Sequence, residues 1–215
     1  RSRLSCIILV LLSIQQFTNW IIHFHSIAVD TSSLEELHLR CTCVLLQFLI
    51  LVLVALLFST LFVAVDRLSY IHPIGGLNIT PWNPPAALEV LFLFLVGNTW
   101  MTWVYLTLGV SDWVVRGTLW LSPAVLLGNA VLVVCYACIA LSLRWVLGRQ
   151  AALRNRQDVM WLGGIIVCGA LLTALAYVGM QTGLGVLAAQ DFWRAAHRFF
   201  VGDLLGLMVL LPLFF

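Results

Sequence analysis

Asp203 is the residue in this chain best placed to do chemistry and the one most out of keeping with its surroundings. It lies in an apolar run, Trp193 to Pro212, that opens with Arg194, His197 and Arg198, and it stands directly after Gly202 and three residues before Gly206. Inside a membrane span an acid costs roughly 2.5–3.5 kcal/mol on insertion scales, so it is expected to face protein or a wet cavity. Glycines four apart let a neighbouring helix come close, which is how such an acid is given a partner. Two roles are open: a functional site, or a structural pin to an arginine or a backbone amide.

The other reactive side chains do not assemble into a catalytic set. His197 and Asp203 are six apart and do not share a helical face, and no His-Glu-x-x-His or paired-acid motif is present. Of the six cysteines, Cys135 and Cys138 are three apart and Cys41 and Cys43 flank a threonine, with Cys6 and Cys168 alone. No second pair with histidines stands at zinc-ligand spacing, so they read as packing thiols. His23 and His25 point to different faces of a helix and read, like His72, as residues near a span end. No enzyme activity, metal or cofactor is expected of this chain.

The elements that must position Asp203 are helical. Hydrophobic residues make up 62% and charged residues 9% of the 215, where a soluble domain carries about 25% charged. The mean hydropathy is +1.06. This composition predicts an all-α polytopic membrane protein of about six to eight transmembrane or half-membrane helices. The apolar runs are continuous and do not alternate as barrel strands must, which argues against a β-barrel. A net charge of +2 without a basic tract excludes a nucleic-acid binder.

In chain order, residues 6–24 are an interrupted apolar stretch, a first span or a leader. Residues 30–40 read as a short capped helix or loop, and residues 43–65 as the first strong span. Then come a Gly75-Gly76 pair and Thr80-Pro81-Trp82-Asn83-Pro84-Pro85, whose prolines cannot be helix interior. Pro85 suits the first turn of a helix that runs to Val96 before Gly97-Asn98. That is too short for a ~30 Å core, so residues 85–116 are either one span or two shortened helices meeting at Gly97. The two-pass reading is preferred because it places the proline lead-in on the side of Trp193 and Asp203.

Trp100, Trp103, Trp113 and Trp120 read as an interfacial belt, and Asp112 with Arg116 as a pair at a loop edge. Residues 118–145 form a long span, followed by Arg144, Arg149, Arg154 and Arg156 against one acid, Asp158. By the positive-inside rule this loop is cytoplasmic. Residues 161–180 then run outward, with Gly179 and Gly183 repeating the small-residue spacing, residues 181–198 lie outside, and residues 199–215 return, leaving the C-terminus cytoplasmic.

The Trp-x-Pro-Pro-Ala-x-Leu lead-in (Trp82 to Leu88), the glycine closing its short helix (Gly97), and the terminal Gly-Asp-Leu-Leu-Gly followed by a proline (Gly202 to Pro212) resemble the membrane-associated sensor domain, type one (MASE). The resemblance covers residues 48–215; residues 1–47 are an extra span or a leader plus linker. The sequence departs from the family pattern at Ala87, where a glycine is usual, and in carrying Glu89. The resemblance implies a sensory input module in the bacterial inner (plasma) membrane. It also implies a homodimer that signals through its last helix to a cytoplasmic histidine kinase or diguanylate cyclase module lying outside this chain.

On that reading Trp82, Asn83, Pro84, Pro85, Glu89, Trp193, His197 and Arg198 are the candidate signal-sensing residues. Gly97, Gly202, Asp203, Gly206 and Pro212 are the packing and transmission residues, with Asp203 held by Arg116 or by a backbone amide at a helix start. A small-molecule transporter or channel is the alternative, since it too uses short helices and an intramembrane acid.

Overall fold

A computed structural model describes residues 34–70, 79–119, 122–148, 153 and 155–214, and among these all regular structure is helical. The readings for residues 6–24, for His23, His25 and His72, for Gly75-Gly76 and for Trp120 lie outside the described residues. Six α-helices follow in order: α1 (Leu34–Ser69), α2 (Pro84–Val96), α3 (Met101–Arg116), α4 (Pro123–Leu147), α5 (Arg156–Gly183) and α6 (Phe192–Leu210). The chain divides into two units, Arg1–Leu57 and Phe58–Phe215, and the candidate site belongs to the second.

Four stretches are long and apolar enough to cross a membrane: Leu49–Ser69, Pro123–Leu147, Arg156–Gly183 and Ala189–Leu213. Their outward faces carry side chains such as Leu127, Leu172 and Val209, while Asp66, Glu89, Asp112, Asn129, Gln181 and Asp203 are buried. Apolar groups outside and polar groups inside are the arrangement that hydrocarbon favours, because a buried polar group there must find its partner within the protein. The chain is thus an all-helical protein of membrane character. The polar stretch from Leu34 is not a separate short helix, since α1 is continuous from there to Ser69.

The short helix α2 forms as the proline pattern predicts. Pro84 and Pro85 occupy its first positions, where no amide hydrogen is needed, and Gly97 ends it at φ 116°, a conformation strained for any residue with a Cβ. Its 13 residues span about 20 Å, well short of a ~30 Å core. A 3-10 turn at Asn98–Trp100 then reverses the chain into α3, so residues 85–116 are two helices. Helix α2 packs against α4 and α6, and α5 packs against α4 and α6 in turn.

Trp100 and Trp103 are half-buried: Trp100 meets Phe92 edge-on at 6.3 Å, and Trp103 Nε1 donates to Ser59 Oγ at 3.0 Å. Two sequence readings are corrected here. Gly179 and Gly183 do not mark a close helix contact, since a Cβ at Gly183 would meet nothing within 4 Å. The close contact of α5 is at Gly169, where a Cβ would lie 2.5 Å from Ile139 Cγ1 of α4. The return helix also begins earlier than expected: α6 starts at Phe192, so Trp193, Arg194, His197 and Arg198 form its first two turns and not a connecting segment.

Candidate functional site

Asp203 is fully buried near the middle of α6 and is held by two neutral donors. Asn83 Nδ2 donates to Oδ1 at 2.7 Å, and Tyr136 Oη, from the middle of α4, donates to Oδ2 at 2.8 Å. The backbone repeats the connection, because the Asn83 amide donates to the Gly202 carbonyl at 3.0 Å. Asn83 is the N-cap of α2 and a residue type that usually caps its own helix; here its side chain is diverted to Asp203 and makes no cap bond.

The two glycines explain how an extended segment can lie so close to a helix. A Cβ at Gly202 would fall on the Thr80 carbonyl oxygen, and one at Gly206 would fall on the Asn83 carbonyl, 2.7 Å from its carbon. The small-residue spacing therefore admits a neighbouring backbone, as expected, but that neighbour is the lead-in Thr80–Asn83 and not a helix flank. The expected partner of Asp203 is corrected too. Arg116 does not reach it, and the amide that does belongs to the side chain of Asn83.

The far end of α2 is held by a charge of the opposite sign. Arg144, in the last turn of α4, donates from Nε to the Phe94 carbonyl at 2.6 Å, with a second bond from its terminal amine and the guanidinium 5.7 Å from the Phe94 ring centre. An acid beside the start of a helix and a cation on its last carbonyls both match the helix dipole. Arg144 is thus a helix clamp rather than a member of the charged loop in which the sequence reading counted it.

A second polar knot joins α1, α3 and α4. Arg116 pairs with Asp66 and Asp112, each at 2.7 Å, and stacks over Tyr70 at 5.1 Å. Asn129 Nδ2 donates to Asp112 at 2.8 Å, and Ser111 donates to Asp66. The Asp112–Arg116 pair stands at the loop edge that the sequence suggests, in the last turn of α3, but it is buried and shared with Asp66.

The remaining predicted residues separate into two groups. Asn83, Pro84, Pro85 and Glu89 are buried, Glu89 with only 2% of its surface exposed. Trp82 is 45% and Trp193 74% exposed, His197 is exposed and Arg198 half-buried, and Trp193 packs edge-on against Phe192 at 5.0 Å. Pro212 lies exposed in the 3-10 turn Leu211–Leu213 that follows α6. Among the described residues no cluster of three or more histidine, cysteine or acidic groups is arranged to hold a metal.

Sequence reasoning did not find Tyr136, Asn129, Asp66 or Arg144 as site residues. Asn129 was detectable in principle as an amide inside a strong apolar run; Tyr136 was not, because a tyrosine in a span is ordinary. Comparisons with protein-family models, curated proteins and solved structures find no match, so the resemblance to the sensor family rests on the residues quoted for it.

Proposed function

We propose that this chain is an integral membrane sensory input module of the membrane-associated sensor type. It works as a homodimer in the inner (plasma) membrane and passes its signal through α6 to a cytoplasmic kinase or cyclase module. One observation carries the reading: the two stretches that the resemblance quotes, the Trp82–Leu88 lead-in and Gly202–Gly206, are the two that meet, through Asp203 and Asn83. The arginines around residues 149–156 support a cytoplasmic end for α4 and, counting two crossings onward, for α6.

The mechanism follows from that contact. A stimulus that binds one packing of α2 on α6 better than another shifts the population between them. Packed helices move between discrete arrangements, so the shift reaches the end of α6, at Pro212, as a small displacement. Asp203→Asn in the module joined to its output domain should change output several-fold with membrane insertion unaltered. Wild-type output from that variant overturns the reading.

A half-length helix that starts against a buried acid is also the way transporters build binding sites. Substrate flux through vesicles reconstituted with this chain would replace the sensor reading with that one.

A further inference from the structure

The surroundings of Asp203 fit two states of its carboxyl, and the structure shows one of them. Each oxygen accepts one bond from a neutral donor, Asn83 Nδ2 at 2.7 Å and Tyr136 Oη at 2.8 Å. The Oδ1 of the same Asn83 amide is buried and accepts from no donor among the described residues, and Asn83 as a whole is 4% exposed. An ionised carboxylate therefore takes the donor that the amide offers and leaves the amide oxygen stranded.

Among the described residues no cation bonds Asp203. Arg116 has its terminal nitrogens on Asp66 and Asp112, and Arg144 has its guanidinium on the Phe94 carbonyl at the opposite end of α2. Arg116 and Arg198 each also bury their Nε, and neither donates it to Asp203. Arg198 is on α6 itself but five residues earlier, about 140° round the helix. Of the titratable groups on the elements packed against α6, Tyr136 alone bonds Asp203. Glu89 of α2 is buried, Tyr177 of α5 stacks on Phe199 at 5.0 Å, and Cys135 of α4 is half-buried beside Tyr136 in the chain.

Burial in a span opposes the charge on such a carboxyl, and the two donors favour it. Proton uptake turns the carboxyl into a donor. A half turn of the Asn83 amide about its last torsion exchanges Oδ1 and Nδ2 and sets the stranded oxygen opposite the new O–H. The lead-in then keeps its bond to α6 with donor and acceptor reversed, and Tyr136 donates to Oδ2 in both states.

We propose that Asp203 is a proton-binding site, filled from bulk water, and that the Asn83 amide turns over when the proton binds. The exchange takes place at the contact that joins the start of α2 to α6. The proposal deepens the sensory reading by naming the proton as the stimulus, and it rests on that reading only for the consequence to signalling.

The test uses the full chain in lipid nanodiscs, without an output domain, with its aspartates carrying 13C at the side-chain carboxyl. Infrared difference spectra across a pH titration read the protonated-carboxyl C=O stretch, and the isotope shift separates aspartates from Glu89. As pH falls, one component of the aspartate band should appear that Tyr136→Phe moves to higher frequency, because the bond to Oδ2 is lost, and that Glu89→Gln leaves in place. With 13C at the asparagine side-chain carbonyls instead, an amide component should move to lower frequency at the same midpoint, as Oδ1 gains a donor. That movement should vanish in Asp203→Asn.

Three results overturn the proposal: no aspartate component that responds to Tyr136→Phe, an asparagine band indifferent to pH, or a midpoint displaced by sodium at constant ionic strength, which would make this a cation site. If Asp203→Asn does not fold, the Tyr136→Phe shift and the wild-type asparagine band decide without it. A failure of the sensory reading would appear only in the signalling assay with the output domain joined, so the two can be told apart.

Discussion

The start of α2 and the meeting of α1, α3 and α4 both bury carboxylates away from water, and they compensate the charge differently. At Asp66 and Asp112 a guanidinium supplies the opposite charge directly, with Asn129 and Ser111 filling further lone pairs. At Asp203 the partners are an amide, a phenol and the positive end of a helix dipole. A buried ion pair is hard to undo, because removing one member strands the other. A carboxylate held by neutral donors can exchange one partner for another at smaller cost. The first arrangement suits a fixed joint and the second a joint that switches.

The largest effect should come from removing the cation. Arg116→Gln strands two buried aspartates and should destabilise the fold by about 3–5 kcal/mol, read as unfolding at much lower denaturant. A loss below about 1 kcal/mol would mean that this knot is as yielding as the other and would erase the contrast.

Next comes the close approach at α6. Gly206→Ala places a methyl on the Asn83 carbonyl and should cost about 1–3 kcal/mol, chiefly by undocking the lead-in. Gly183→Ala, where a Cβ meets nothing, is the control and should leave stability unchanged. A Gly206→Ala chain no less stable than Gly183→Ala would show that the gain in helix propensity, and not the α2–α6 contact, is being measured.

A smaller effect is expected from Tyr136→Phe, which removes a single donor from Asp203 Oδ2 while Asn83 still holds the carboxylate, and should cost about 0.5–1.5 kcal/mol. Its unfolding midpoint should remain above that of Arg116→Gln. The reverse order would make the neutral knot the stronger of the two.

Much of this architecture was legible in the sequence where the signal is local. The proline pair and Gly97 bound α2 because both act through backbone dihedrals, which their own residue types fix. Gly202 and Gly206 announced a close approach for the same reason. What approaches them was not legible, since contacts such as Asn83 to Asp203 and Asp66 to Arg116 join residues far apart in sequence.

Composition misled where one residue type serves two roles. Tryptophans suit interfaces and packing contacts alike, and Trp100 and Trp103 are half-buried against the core. An arginine near a charged loop suggests solvent, and Arg144 went to a helix end. The acid at 203 was recognisable as costly, but its partner depended on a tertiary contact that no spacing encodes.

The central claim is that Asp203 holds the start of α2 on α6 through Asn83. A double-mutant cycle of Asn83→Ala and Asp203→Ala, read by equilibrium unfolding in a single detergent, tests it most directly. The claim predicts a coupling between the two positions of about 1 kcal/mol or more. Losses that simply add, to within about 0.3–0.5 kcal/mol, would contradict it.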